Sequence, residues 1–406
     1  MGLQLPHGGP HLLPGGATLK ASISSVDVSG KRVLVREDLN VPMKDGVITD
    51  ATRIKAALPT IKDLTTRGAL VIVMSHLGRP KGVDQSLSLR PVAQELGRLL
   101  WGEVKFAYDC VGPQAQAAVA RLQPGAVLML ENVRFHPEDE ANDPEFAKQL
   151  ASLGEIFVND AFASSHRAHA SVVGVAKYLP AYAGQLMEAE LNALHQALDY
   201  PKRPLIAVVG GAKVSTKVGL LNNLISKVDL LIIGGAMANT FLRAQGHATG
   251  SSLVDETAIE AANSVWKTVG QRLLLPVDLV CTQQTMTGQP LRVFPAENVD
   301  PGWIAVDIGP KTVELFSERI RGAGTVVWNG PMGIFEIKDF SAGTRAIGEV
   351  IASSGAYTLV GGGDTAAAVD ALGLAGRYSH VSTGGGATLE YLEGKELPGV
   401  AVLKEA

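Results

Sequence analysis

The chain has very little cysteine: Cys110 and Cys281 are its two thiols in 406 residues. Thiols so far apart predict no disulfide framework and no zinc site, and they suit a reducing cytoplasm. Both read as small core residues. The chain also lacks any run of roughly 18 apolar residues, so it has no candidate membrane-spanning helix. It lacks a strong excess of either charge. A net charge of −4 gives no basis for binding nucleic acid or a membrane surface. The common short signatures are missing as well. Without G-x-x-x-x-G-K-[ST] there is no Walker A loop, and without G-x-G-x-x-G opening a helix a dinucleotide dehydrogenase is disfavoured. Neither G-x-S-x-G nor H-E-x-x-H occurs, which removes the usual hydrolase patterns. Residues 1–18 are rich in Gly, Pro and His and carry no hydrophobic period. They lack the basic and apolar regions of a signal peptide, and Pro6 stands where myristoylation needs Ser or Thr. They read as a flexible N-terminal extension.

What is present is a repeated alternation. Short apolar runs end in polar residues at Val33–Arg36, Leu70–His76, Val127–Arg134 and Ile156–Asp160, with helical periods such as Ile54–Arg67 and Arg90–Leu100 between them. Continuous apolar strands alternating with helices predict a parallel sheet covered on both faces. Ligands of such sheets bind beyond the carboxyl ends of the strands. Those ends gather Arg36, Asp38, Asn40, His76, Arg79, Arg134 and Arg167, and Arg53 opens the helix after Asp50. One such arginine reads as a solvated ion pair. Five at one sheet edge point to a small, multiply charged anion, which guanidinium forks grip bidentately. His166 and His169 could share a helical face, but no acid or thiol lies at a matching short spacing, so packing or anion hydrogen bonding is favoured over zinc.

Residues 186–200 predict one amphipathic helix, with Leu186, Leu191, Leu194 and Leu198 near one face and Pro201 and Pro204 as its stop. We read it as a connector between two domains. Beyond it the alternation resumes with glycine-rich strand ends: Val209-Gly-Gly-Ala-Lys213, Ile233-Gly-Gly235, Val306-Asp-Ile-Gly309, Asn329-Gly-Pro-Met-Gly333, Val360-Gly-Gly-Gly-Asp364 and Ser382-Thr-Gly-Gly-Gly386. The stretch Tyr357–Leu372 reads as strand, turn and Ala-rich helix, with Asp364 or Thr365 as its cap. Gly361, Gly362 and Gly363 carry no Cβ, so backbone amides and a helix N-terminus can receive phosphate. Lys213 and Lys217, following Gly210-Gly-Ala212, read as phosphate ligands. The fold class is therefore α/β: two doubly wound parallel-sheet, Rossmann-like domains joined by a hinge helix. One edge is rich in cations and the other is lined by backbone.

The ordered segments Arg36-Glu-Asp-Leu-Asn-Val-Pro42, Ser75-His-Leu-Gly-Arg-Pro80, Glu131-Asn-Val-Arg-Phe-His136, Asn159-Asp-Ala-Phe162, His166-Arg-Ala-His169, Gly210-Gly-Ala-Lys-Val-Ser-Thr-Lys217, Trp328-Asn-Gly-Pro-Met-Gly-Ile-Phe-Glu336 and Gly361-Gly-Gly-Asp-Thr365 resemble phosphoglycerate kinases over about Val26–Val402. That resemblance implies phosphoryl transfer from the acyl-phosphate of 1,3-bisphosphoglycerate to ADP, giving 3-phosphoglycerate and ATP, in a monomeric cytoplasmic enzyme. It implies a glycerate-binding domain over 19–186, rejoined by a tail over 389–406, and a nucleotide-binding domain over 187–388. It assigns Arg36, Asp38, Leu39, Asn40, Arg53, His76, Leu77, Gly78, Arg79, Arg134 and Arg167 to the glycerate. It assigns Lys213, Lys217, Gly235, Gly309, Asn329, Glu336, Gly362, Gly363, Asp364 and Thr365 to the nucleotide, with Asp364 holding Mg²⁺. Arg53, Lys213 and the amides of Gly361 and Gly362 would stabilise the transferring group, after closure about hinges near 186–204 and 383–390. The departures are few. Ser164 and Ser165 stand where the family often has Gly-Thr and Ala, Ala236 replaces a frequent glycine, and Glu37 would add negative charge beside the anion site.

Overall fold

A computed structural model describes residues 20–406. The extension expected over 1–18 lies outside the described residues. The chain divides into two compact units. One comprises the residues up to Asn192 together with Glu396–Ala406, and the other is Ala193–Lys395.

The first unit holds a six-stranded sheet. Its strands are β1 (Arg32–Arg36), β2 (Leu70–Met74), β3 (Val104–Phe106), β4 (Val127–Met129), β5 (Ile156–Asn159) and β6 (Ala181–Ala183), in the order β3-β4-β2-β1-β5-β6. Every pairing in it is parallel. Helices α1 (Thr52–Thr66), α2 (Arg90–Leu100), α3 (Gly112–Ala120) and α4 (Pro144–Ala151) connect the strands. The local chemistry is visible at α4, where Pro144 takes the first turn and the Asp143 carboxylate accepts from the Phe146 amide at 2.8 Å. Val33, Val35, Val71, Val73, Ile54 and Ile61 are among the residues that fill the core between sheet and helices. Each fully buried aliphatic side chain contributes about 1.5–3 kcal/mol.

Helix α5 (Gln185–Leu198) follows, and the change from first to second unit falls within it, after Asn192. Its first turn is held in the first unit: the Gln185 amide donates to Thr60 Oγ1 at 2.8 Å and the Met187 amide to Asp160 Oδ1 at 3.0 Å.

The second unit holds another six-stranded sheet, again wholly parallel. Its strands β7 (Leu205–Val209), β8 (Leu230–Ile233) and β9 (Leu273–Leu274) lie to one side. A smaller sheet of β10 (Asp278–Thr282), β11 (Arg292–Pro295) and β12 (Ile304–Ile308) is antiparallel. Next come β13 (Thr325–Asn329), β14 (Tyr357–Val360) and β15 (His380–Val381), and the large sheet runs β9-β8-β7-β13-β14-β15. The run ending Val306-Asp-Ile308, read from sequence as one more parallel strand, is β12 of the small sheet. An apolar run fixes burial, but not the direction of the strand beside it. The helices are α6 (Val218–Ile225), α7 (Ala236–Ala244), α8 (Ile259–Val269), α9 (Pro310–Arg321), α10 (Ala342–Ser353), α11 (Gly363–Ala371) and α12 (Gly386–Leu392). Trp328, fully buried, sits in the core with Phe316, Ile347 and Val360.

The last residues return to the first unit, where α13 (Pro398–Ala401) lies. The Gly399 amide donates to Ser165 O at 2.8 Å, Asn159 Nδ2 donates to Gly399 O at 2.8 Å, and Lys20 pairs with Glu405 in an antiparallel bridge. Helix α12, by contrast, belongs to the second unit, where Asn223 Nδ2 donates to Leu392 O at 2.8 Å. Among the described residues no helix is long and apolar enough to cross a membrane.

Candidate active site

In each sheet one strand has its successor on one side and a later strand on the other. These are β1, between β2 and β5, and β7, between β8 and β13. Crevices in open α/β sheets form beyond such strands. Register makes the edge sharp. Arg36 pairs with Met74 and with Asn159, so the residues after all three strands emerge at one level.

At that edge Arg36 is fully buried, a positioning group beneath the surface. Its Nε donates to Ser171 Oγ at 3.0 Å, its Nη2 to His76 Nδ1 at 3.1 Å, and its Nη1 to the Glu37 carbonyl. Asp38 Oδ1 pairs with Arg53 Nη1 at 2.5 Å, and its Oδ2 accepts from Ser164 Oγ at 3.1 Å. Burial opposes ionisation of Asp38, yet His76 when protonated, Arg53 and Arg36 more than offset it and hold the carboxyl down at about 2. Burial pushes His76 well below the ordinary imidazole range, although Asp38 pulls the other way. The ring is therefore neutral near pH 7, and the two arginines are what act on Asp38 there. Asn40 Oδ1 accepts from the Gly78 amide at 2.9 Å, and Arg134 Nη1 donates to Gly78 O at 2.7 Å. Burial, then Arg167 and Arg36, press on the Arg134 guanidinium, which Glu140 at 3.2 Å partly answers. Arg36, Arg53, Arg134 and Arg167 thus share one field, while Arg79 lies exposed on the following loop. Leu39 and Leu77 turn their side chains into the core. His166 and His169 sit in a turn rather than on a helix face. Arg167 Nε donates to His166 Nε2 at 3.2 Å, and His169 Nδ1 lies 3.8 Å from Asp139.

Glu37 corrects the expectation drawn from its charge. It is fully buried, and burial, then the facing Asp160, push its carboxyl well above the usual range. Burial and Asp160 thus favour its uncharged form, against the negative charge expected beside the arginines. Asp160 also carries the Met187 amide, so the acid pair sits under the first turn of α5. The folded chain holds the Glu37 proton at pH values where the unfolded chain has released it. Stability contributed here is complete below about 4.5 and declines as pH rises toward the native value. Glu37→Gln removes that decline. Denaturant melts at pH 5 and pH 8 are expected to show the variant gaining on the parent by about 1.4 kcal/mol for every unit of displacement spanned. Parallel pH profiles for parent and variant would refute the buried-proton assignment.

In the second unit the strand ends Val209, Ile233 and Asn329 are level, and Trp328 pairs with Val360, so the glycines emerge together. Gly362, at φ +92°, caps α11 without any side-chain hydrogen bond. This corrects the expected Asp364 or Thr365 cap. Thr365 is buried instead, where its Oγ1 accepts from the Gly330 amide at 2.6 Å and donates to Gly361 O at 3.0 Å. A Cβ on Gly362 would meet Asn329 Nδ2 at 2.8 Å. The Gly361 amide is also not an available donor, because it continues the sheet ladder to Trp328 O at 2.9 Å. The free donors at this turn are the first-turn amides of α11, which have no intrahelical acceptor. Likewise the Gly235 amide donates to Met332 O at 3.1 Å and that of Gly309 to Asp278 O at 2.9 Å. These two glycines supply close approach rather than N–H groups.

Lys217 is the N-cap of α6, and its Nζ donates to Gly210 O at 2.6 Å, Asn329 O at 3.1 Å and Asn329 Oδ1 at 2.6 Å. Burial pushes the ammonium down to about 8, against the pull of Asp364. Lys213 is exposed on the loop before it. Asp255 anchors that loop by accepting from the Ser215 amide at 3.0 Å and Ser215 Oγ at 2.6 Å. Nothing in the local sequence marked Asp255, forty residues away. A cavity of about 380 Å³ is lined by Gly235, Leu253, Leu279, Pro331, Glu336 and Asp364, among others. Its apolar walls suit a flat ring, and Asp364 is an exposed acid at the start of α11. Asp307 lines it too, and burial pushes that carboxyl up to about 7 although the Gly343 and Ile308 amides donate to it.

The family model for phosphoglycerate kinase matches residues 23–395. The chain is 54% identical over 390 residues to the phosphoglycerate kinase of Moorella thermoacetica, covering 95% of this chain and 99% of that protein. It is 53% identical over 393 residues to that of Roseiflexus castenholzii, covering 95% and 100%. Among solved structures, phosphoglycerate kinase from Coxiella burnetii superposes with a TM-score of 0.88 at 45% identity, covering 94% of this chain and 98% of that one. The enzyme from Pyrococcus horikoshii gives 0.83 at 33% identity, with 94% and 98% covered. Matched in sequence and in fold over nearly its whole length, the chain belongs to the phosphoglycerate kinase family.

Proposed function

We infer that the chain transfers a phosphoryl group reversibly between 1,3-bisphosphoglycerate and ADP, with 3-phosphoglycerate and ATP as products. The observation that carries this reading is the contrast between the two sheet edges. One gathers four guanidiniums around a neutral imidazole. The other presents glycine turns, a helix N-terminus and a half-buried lysine. A glycerate phosphate and carboxylate fit the first, and a nucleotide fits the second with its base in the apolar cavity. Asp364, exposed at the start of α11 beside that cavity, fits a magnesium ion that also takes nucleotide oxygens and waters. When bound, the ion supplies charge neutralisation to the phosphate chain.

The protein's own work is positioning and electrostatics. The acceptor carboxylate is already ionised, so no general base is needed. Arg53 and Lys213 would face the equatorial oxygens of the transferring group, and the first-turn amides of α11 would add oriented donors. Arg36 holds His76 and the strand end in place. In-line transfer requires the two bound substrates to meet, so closure accompanies the cycle. In this reading the chain works as a monomer in the cytoplasm. The test is coupled turnover: ADP release from ATP should depend on both 3-phosphoglycerate and magnesium. Turnover indifferent to 3-phosphoglycerate, or none, would overturn the assignment.

A further inference from the structure

Beyond the carboxyl ends of β3 and β4, at one side of the first sheet, Asp109, Cys110 and His136 come together. One ligand atom from each lies within 4.8 Å of the other two. Asp109 and Cys110 precede α3 on the loop leaving β3, and His136 ends the turn Val133–Phe135 after β4. Adjacent strands therefore deliver the two halves of the group, as the pairing of β3 with β4 dictates.

We propose that Asp109, Cys110 and His136 form a binding site for a borderline-soft divalent cation of the zinc class. The donor set decides the metal. Sulfur, imidazole nitrogen and carboxylate oxygen suit zinc or cobalt, whereas magnesium and calcium demand oxygen alone. Donors around a tetrahedral zinc lie roughly 3.5 Å apart, so the observed triangle needs only small side-chain shifts. His136 Nε2 and Asp109 Oδ1 are already 2.8 Å apart. Three protein donors leave one position for water.

Access and rigidity agree with this assignment. The Asp109 and His136 side chains are 40% and 30% exposed, which opens a path from solvent, while Cys110 is fully enclosed and shielded from oxidants. The His136 ring is steadied against Phe146, with centroids 5.2 Å apart. The Cys110 amide donates to Asp109 Oδ1 at 2.7 Å, which fixes the carboxylate beside the thiol. Coordination releases the thiol proton to water, together with any proton held between His136 and Asp109.

The full-length, metal-stripped chain would be titrated with Co²⁺ in excess Mg²⁺. One equivalent is expected to produce a thiolate-to-cobalt charge-transfer band and tetrahedral d–d bands, both removed by Zn²⁺. Cys110→Ser should abolish the charge-transfer band and Cys281→Ser should leave it intact. His136→Gln, at a half-exposed position that does not threaten folding, should weaken cobalt binding by about a hundredfold or more, beyond what loss of a mere supporting contact costs. No band at one equivalent, a band that survives Cys110→Ser, or unchanged affinity in His136→Gln would each overturn the proposal.

Discussion

Arg53→Ala is expected to lower kcat by about a thousandfold, close to 4 kcal/mol of transition-state stabilisation, while changing the KM for nucleotide by no more than about twofold. Arg53 occupies the first turn of α1, which contains no acidic residue to offset the helix dipole. Its fixed partner is Asp38 at 2.5 Å. A cation placed against the dipole and tethered by one carboxylate is poised for an anion that arrives later. Alanine is the better helix former, and the neighbouring Ile54 remains fully buried, so the helix should survive. Asp38 keeps Arg36 nearby and stays ionised. The loss should therefore appear in the chemical step. Arg53→Lys should recover only part of it, since a point charge lacks the planar fork. Steady-state kinetics with both substrates varied checks the split. A near-normal kcat in Arg53→Ala would remove Arg53 from the transition state.

Lys217→Met should weaken nucleotide binding by at least about tenfold and lower Tm by several degrees. The lysine ties three acceptors together, Gly210 O, Asn329 O and Asn329 Oδ1, and so joins the end of β7 to the end of β13. Methionine fills the stem but leaves those oxygens unsatisfied, at about 1–3 kcal/mol for each that finds no water. In a unit of this size 1 kcal/mol is roughly 2–4 °C. A second signature separates ligand binding from scaffolding. Because burial holds the ammonium at about 8, arriving phosphate charge should draw a proton onto it near that pH. Calorimetry in buffers of different ionisation enthalpy should show proton uptake for the parent and a reduced uptake for the variant. Equal uptake in both would assign Lys217 to scaffolding alone.

Much of this architecture was legible because parallel strands buried on both faces read as continuous apolar runs. Leu70–Met74 and Leu205–Val209 are plain in the sequence for that reason. The strand ends were legible too, since polar residues following such runs can only emerge at the carboxyl edge. What escaped were facts set by long-range packing. Glu37 read as a negative charge beside the anion site, but the chain turns it inward against Asp160. The Gly361 amide read as a phosphate donor, but the ladder to β13 extends one residue further and engages it. Cys110 read as isolated in the chain, and only the adjacency of β3 and β4 puts His136 beside it. Asp255 anchors the loop after β7 from a segment whose own sequence pattern signals nothing about it.

The tail beginning at Glu396 has a bearing on how the molecule is made. A ribosome releases the second unit's segment, Ala193–Lys395, as one uninterrupted stretch, whereas the first unit waits for residues 396–406 before Lys20 can meet Glu405 and Ser165 can meet Gly399. The first unit is thus completed only after the second has been synthesised, and a chain cut just before Glu396 would carry a whole second unit attached to an unfinished first.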